Sequence, residues 1–351
     1  MKVNAAPLDR TASGPAHLGI ERLLERFAGR PIVVLGDVML DEYWWGSVER
    51  ISPEAPVPIV AVDAKEAKLG GAANVAQNIR SLGGQVTTIG LIGDDQAGER
   101  VRAQFVRQGL DTSGLQVDHT RPTTVKTRIV AHHQQVVRAD FEATGEAAPE
   151  TTETLVVACR AALEAGAAGL VISDYGKGVI TRSLLEAIIG AARERGKFIV
   201  VDPKDTHFSA YRRVTLLTPN HHEAGFVAGR KIRDETTLRA VGFDLLSQLE
   251  ADSLLITRGE KGMALFEADG RMTSIPTVAR HVYDVTGAGD TVVAAIAMCL
   301  AAGGNMLQAA YTANVAAGEV IKEVGTAQTT PGAIREALAE IPEPQLTFQQ
   351  R

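Results

Sequence analysis

Asp284-Val285-Thr286-Gly287-Ala288-Gly289-Asp290-Thr291 runs without a break into the apolar stretch Val292 to Ala302. Two glycines let a chain turn tightly, so the octapeptide reads as the mouth of a buried helix. Helix mouths leave N–H groups unpaired and carry the positive end of the helix dipole, which makes them receptors for anions. Asp290 stands at this mouth, where a carboxylate is a poor phosphate ligand but a well-placed proton acceptor. Amides that hold a phosphoryl group, beside a carboxylate that takes a hydroxyl proton, are the parts needed for phosphoryl transfer to an alcohol. A glycine turn that merely starts a buried helix is the simpler reading of the same residues.

Upstream, short apolar runs alternate with longer amphipathic segments: Ile32 to Leu35, Val86 to Leu91, Gly169 to Ser173, Phe198 to Val201, Leu216 to Thr218 and Ser253 to Thr257. Continuous runs of this kind suit strands buried on both faces, which predicts an α/β fold: a doubly wound, mostly parallel sheet covered by helices. Polar groups follow the runs: Asp37, then Asp174 and Lys177, Asp202 and Lys204, Asn220 and Glu223, and Arg258. Ligands of open α/β sheets bind beyond the carboxyl ends of the strands, so these distant residues are expected to share one crevice. Two segments break the rhythm. Residues 42–68 cluster Tyr43, Trp44 and Trp45 with three prolines, and residues 121–141 alternate β-branched residues around a turn near 132–135. Together they predict a small sheet standing off the main domain.

The 351 residues are 45% hydrophobic, ample for a packed core, and carry a formal charge of −6 with both signs interspersed. No basic stripe tracks a nucleic-acid backbone, which argues against a nucleic-acid partner. Cys159 and Cys299 lie in apolar surroundings and read as buried free thiols of a cytoplasmic protein. Residues 1–19 lack the apolar core of a secretory signal, and Val292 to Ala302 is too short to span a membrane. No Gly-x-x-x-x-Gly-Lys-Ser/Thr or Gly-x-Gly-x-x-Gly occurs, which disfavours P-loop and dinucleotide-binding enzymes.

The Gly287 loop resembles the C-terminal signature of the ribokinase-like (PfkB) sugar kinases, and Leu69-Gly70-Gly71-Ala72-Ala73-Asn74-Val75-Ala76 resembles their second signature. The resemblance runs from Pro31 to Gly332. It implies one kinase domain over 20–340, a β lid from segments 42–68 and 121–141, and tails at 1–19 and 342–351. It implies ATP and Mg²⁺, a sugar substrate, no membrane, and a homodimer formed through the lid. Asp290 becomes the general base, with Gly287, Ala288 and Gly289 as the anion hole. Asp37, Gly70, Gly71 and Asn74 face the sugar; Asp37 follows the first strand and is preferred over Asp41, which reads equally as a turn or cap. Asn220 and Glu223, in Thr218-Pro219-Asn220-His221-His222-Glu223, organise Mg²⁺ mainly through water. Thr257, Arg258, Gly259 and Gly262, with Asn220, form the nucleotide side, although a plain hairpin fits the Thr257 to Gly262 segment too. Adjacent His221 and His222 lack zinc-site spacing.

Three further stretches, Val34-Leu35-Gly36-Asp37-Val38-Met39-Leu40-Asp41-Glu42-Tyr43-Trp44-Trp45-Gly46, Ser52-Pro53-Glu54-Ala55-Pro56-Val57-Pro58 and Ser173-Asp174-Tyr175-Gly176-Lys177-Gly178, look close to the heptose 7-phosphate kinases within that family. The reaction implied is phosphorylation of the anomeric O1 of D-glycero-D-manno-heptose 7-phosphate for lipopolysaccharide core synthesis. A sugar phosphate calls for cationic donors, and Arg138 and Lys177 are the preferred pair among Lys126, Arg128 and Lys204. Many relatives add a cytidylyltransferase-like domain; with the sequence ending at Arg351, the adenylyl step is expected of a separate protein. The alternatives are another sugar-phosphate or nucleoside kinase of the family and a sensor that binds sugar phosphate without turnover.

Overall fold

The computed structural model describes residues 19–132, 134–279, 284–323, 325–342 and 345–351. The first half runs α1 (Ile20–Leu24), β1 (Pro31–Gly36), β2 (Val38–Ile51), β3 (Pro58–Gly71), α2 (Ala72–Ser81), β4 (Gln85–Gly93), α3 (Gln96–Arg107), β5 (Leu115–Asp118), β6 (Thr124–Ala131) and β7 (Gln134–Phe141). After α4 (Pro149–Glu164) come β8 (Gly169–Ser173), α5 (Arg182–Glu194), β9 (Phe198–Asp202), β10 (Leu216–Leu217), α6 (His221–Val227), α7 (Glu235–Leu249) and β11 (Ser253–Thr257). The chain closes with β12 (Met263–Glu267), β13 (Arg271–Ile275), α8 (Ala288–Ala301), α9 (Met306–Val320), α10 (Pro331–Glu340) and β14 (Thr347–Gln350).

Ten strands form one sheet in the order β14-β13-β12-β11-β10-β9-β8-β1-β4-β5. The stretch from β5 to β11 is parallel, and β12 to β14 add an antiparallel edge. Strand side chains alternate between faces, so Ile32 and Val34 enter one core while Val33 and Leu35 enter the other. The first core lies under α1, α2, α8 and α9, and the second under α4, α5 and α7. Helices on both faces explain why the parallel strands are nearly continuous in hydrophobicity. The six apolar runs all become strands, and Cys159 and Cys299 are free and buried, with burial pushing both thiols up to about 12.

β3-β2-β6-β7 form a separate sheet that the two rhythm-breaking segments build, with β2 leaving the main sheet one residue after β1. Alternation along β2 and β6 puts Met39, Asp41, Tyr43, Lys126 and Arg128 on one face, since Asp41 is paired with Lys126 and Tyr43 with Arg128 in register. One expectation fails at the C-terminus. Residues 342–351 were expected to form a tail, but Thr347–Gln350 pairs antiparallel with β13 from Ser274 to Arg271, because an unpaired edge there accepts another strand. The N-terminal segment 1–18 lies outside the described residues.

Candidate active site

Gly287 precedes α8 with φ 78°, and a Cβ there would stand 2.9 Å from the Asn74 amide nitrogen, so both conformation and space demand glycine. The Ala288 N–H is bonded to the Val285 carbonyl at 3.2 Å, while the N–H groups of Gly289 and Asp290 have no partner among the described residues. Ala288 therefore leaves the expected anion hole, and the donors that remain are Gly289 and Asp290.

Asp290 is 3% exposed. Asn74 Nδ2 donates to its Oδ2 at 2.7 Å and Tyr175 Oη donates to its Oδ1 at 2.8 Å. Burial pushes the carboxyl up to about 7, against those two hydrogen bonds, which favour the charged form. A base that titrates near neutrality is matched to taking a hydroxyl proton. Asn74 is itself fixed: Asn78, one turn along α2, donates to its carbonyl at 2.9 Å, and Thr291 Oγ1 donates to Asn78 Oδ1 at 2.9 Å. The second glycine signature thus meets the first through Asn74. Its glycines serve the protein's own packing, since a Cβ on Gly70 would lie 2.4 Å from Asp41 Oδ2 and one on Gly71 2.4 Å from the Asp37 carbonyl.

Asp37 lies at the end of β1 as expected, but its carboxylate is occupied. Oδ2 accepts the N–H groups of Tyr175 at 2.7 Å and Lys177 at 3.1 Å, and Oδ1 accepts that of Val179 at 3.2 Å. The expected sugar ligand is a loop anchor, and burial, with Asp174 nearby, raises its carboxyl to about 6. Asp41 is neither turn nor cap: it sits within β2, 4% exposed, bonded by Arg128 Nη1 at 2.6 Å. Its position four residues after Asp37 was visible in the sequence. What hid its role was the assumption that the first strand continued into a turn rather than into a lid strand whose period of two aims Asp41 and Tyr43 together.

The cations also differ from expectation. Arg138 is half-exposed and donates twice to Asp140, and Lys177 Nζ pairs with Glu142 at 2.7 Å. Lys126 has no hydrogen bond or ion pair among the described residues; its ammonium lies 5.3 Å from the centre of the Tyr175 ring, and burial lowers its pKa. The Asp41 and Asp140 carboxylates lie beside it in register and the Lys177 and Arg138 cations lie nearby, yet none pairs with it directly, so Lys126 is the cation on this face without an ion-pair partner among the described residues. Lys204 is partly exposed, 3.8 Å from Asp205.

On the other side of Asp290 a cavity of about 230 Å³ is lined by Asp174, Tyr175, Asp202, Lys204, Asn220, Glu223, Thr257 and Gly289. Asn220 and Glu223 form a reciprocal cap on α6, the Asn220 side chain accepting from the Glu223 N–H and the Glu223 carboxylate accepting from the Asn220 N–H. Thr257 joins Asn220 through a parallel bridge. The hairpin reading of the next segment holds: Gly259–Lys261 is a tight turn between β11 and β12, and a Cβ on Gly262 would lie 2.1 Å from the Ile275 carbonyl. Arg258 turns away to pair with Glu235 at 2.6 Å. Two residues not given a role from sequence belong here. Tyr175 donates to Asp290, and Asp202 is a part-buried carboxyl held well above its usual range by desolvation, with Asp290 and Glu223 adding repulsion.

The profile of the pfkB family carbohydrate kinases matches residues 30–333. The chain belongs to that family. As a pfkB carbohydrate kinase it is an enzyme. It is 47% identical over 322 residues to the bifunctional protein HldE of Geotalea uraniireducens, covering 92% of this chain and 65% of that one. To the bifunctional protein HldE of Azotobacter vinelandii it is 44% identical over 316 residues, covering 90% and 65%. The chain therefore spans 65% of the length of these relatives. Among solved structures, phosphofructokinase-2 from Escherichia coli in complex with potassium superposes with a TM-score of 0.74 at 19% identity, covering 89% of this chain and 98% of that one. Arabidopsis thaliana ribokinase complexed with ribose and ATP gives 0.69 at 19% identity, covering 90% and 100%. These structures share the ribokinase-like fold.

Proposed function

We propose that this carbohydrate kinase moves the γ-phosphoryl group of ATP to the anomeric hydroxyl of D-glycero-D-manno-heptose 7-phosphate, giving the 1,7-bisphosphate used for ADP-heptose and lipopolysaccharide core synthesis. The likeness to the HldE proteins supports the sugar. The observation that carries the reading is the buried Asp290 carboxylate, beside two unpaired amides and a lid face on which Lys126 makes no ion pair among the described residues.

In this reading the acceptor lies between Asp290 and the lid, with Asp41 taking sugar hydroxyls in place of Asp37. Asp290 removes the proton of the anomeric hydroxyl as that oxygen bonds to the γ-phosphorus, the bond to the β-phosphate oxygen breaks, and ADP leaves. The Gly289 and Asp290 amides hold the transferring group, so positioning and charge stabilisation supply most of the rate. A 7-phosphate reaches Lys126 and draws in Arg138 and Lys177, whose present carboxylate partners it replaces.

The nucleotide occupies the cavity beside Asn220 and Thr257. Glu223 and Asn220 would hold Mg²⁺ through water. Asp290 and Glu223 each add repulsion to the Asp202 carboxyl, which marks a place where a cation would be welcome. When bound, Mg²⁺ neutralises phosphate charge. Exposed Val137 and Phe141 on β7 support a homodimer formed through the lid. No helix among the described residues is long and apolar enough to cross a membrane.

ADP release measured with heptose 7-phosphate, unphosphorylated heptose and fructose 6-phosphate tests the reading. Heptose 7-phosphate should lead by at least about 100-fold in kcat/KM, because the other sugars leave buried polar groups unpaired. Equal use of either competitor would overturn the assignment.

A further inference from the structure

Tyr175 stands where neither glycine signature reaches, and its hydroxyl is committed to one atom, Oδ1 of Asp290, at 2.8 Å. The opposite oxygen of the same carboxylate is committed to Asn74 at 2.7 Å. A carboxylate gripped on both oxygens has its plane fixed, while each oxygen keeps a further lone pair for a substrate proton.

What holds Tyr175 in place is unusually elaborate for a surface loop. Asp37 accepts three consecutive odd-numbered N–H groups, those of Tyr175, Lys177 and Val179, and Asp174 accepts from Gly176 at 2.7 Å. Asp174 is in turn bonded by Tyr211 Oη and by His207 Nδ1, the latter at 2.7 Å. Arg121 adds hydrogen bonds to the carbonyls of Lys177 and Gly145, and Gly178 has φ 85° with no room for a Cβ beside the Gly145 carbonyl. Two buried carboxyls, one histidine and one arginine converge on five residues whose one side chain touching the base is Tyr175.

We propose that Tyr175 is a positioning residue for phosphoryl transfer, that its hydroxyl orients the Asp290 carboxylate and holds it in the charged, proton-accepting form, and that Asp37 acts on the reaction by locking the loop that carries Tyr175. The inference rests on Asp290 being the base. Removing the hydroxyl withdraws a hydrogen bond that favours the ionised carboxylate, so Asp290 will hold its proton to higher pH. The other charged groups around Asp290 are Asp41 on β2, Lys126 on β6 and Asp202 on β9, and all remain in place.

Tyr175→Phe keeps the ring that Lys126 faces and removes one oxygen. It should lower kcat about tenfold with KM for ATP within about twofold, and should move the acidic limb of the kcat/KM profile upward by about half a pH unit or more. Asp37→Asn should lower kcat similarly, but in the Tyr175→Phe background it should add little, because both changes release the same hydrogen bond. Asp290→Asn is the control for the base itself. If Asp290→Asn destroys turnover while Tyr175→Phe leaves kcat and the pH profile unchanged, the positioning role is wrong and the base stands. If Asp290→Asn turns over normally, the base assignment fails instead. Additive losses from Asp37→Asn and Tyr175→Phe would show that Asp37 does not work through Tyr175.

Discussion

Asp290, the proposed base, is buried at the expense of the fold. Its carboxyl titrates at about 7 in the folded chain because burial disfavours the charge, against an ordinary value of 3.8 when the chain is unfolded. The folded state therefore binds the proton more tightly. Below the unfolded value both states are protonated and the residue is neutral toward stability; between roughly 4 and 7 its contribution declines as pH rises, and above about 7 the native state carries a buried anion. Asp290→Asn removes that anion. At pH 8 the variant should resist urea better than the wild type by on the order of 1 kcal/mol, and the advantage should fade as pH falls toward 4. Its kcat should fall by at least about 100-fold with both substrates still bound, the loss expected for a missing general base. Urea titrations at two pH values and calorimetry of ligand binding check both halves. A variant less stable at pH 8 would contradict the burial argument.

At the scale of elements, the lid is where sequence and structure diverge most instructively. Its existence was legible, since aromatics and β-branched residues at period two interrupt a rhythm of strands and helices. The buried strands, the α8 mouth and the place of Asp290 were legible too, because continuous apolar runs and paired glycines carry their meaning locally. Side-chain partners were not. Arg138 was chosen for its charge, yet only the structure reveals that its guanidinium takes Asp140, the residue opposite Lys126 in the β6–β7 register, leaving Lys126 without an ion pair among the described residues. Asp37 was chosen for its position after β1, yet only the fold brings three backbone N–H groups from the Tyr175 loop onto it. The C-terminal strand carries too few apolar residues to announce itself and exists because β13 offers an edge. The lid reading makes a clear prediction: Lys126→Ala should weaken heptose 7-phosphate binding by about tenfold or more while leaving a non-hydrolysable ATP analogue within about twofold, since one charge-assisted bond is lost on the acceptor side alone. Equal losses for both ligands, measured by calorimetry, would remove Lys126 from the phosphate site.

Across the whole molecule, the sheet order brings together residues 253 positions apart in sequence, from Asp37 to Asp290, at the carboxyl ends of the parallel strands. In the proposed reading the acceptor side is built by β2, β6 and the loop after β8, and the nucleotide side by β9, α6 and β11, with the mouth of α8 between them. In that reading one carboxylate meets the acceptor hydroxyl and two amides meet the phosphoryl group that it attacks. The most direct test of this account is phosphorus NMR of heptose 7-phosphate incubated with ATP, Mg²⁺ and the enzyme. The account predicts ADP and a second sugar phosphorus resonance coupled to the anomeric proton, both absent with Asp290→Asn; a new phosphate on any other sugar carbon, or an undiminished anomeric resonance from Asp290→Asn, would contradict it.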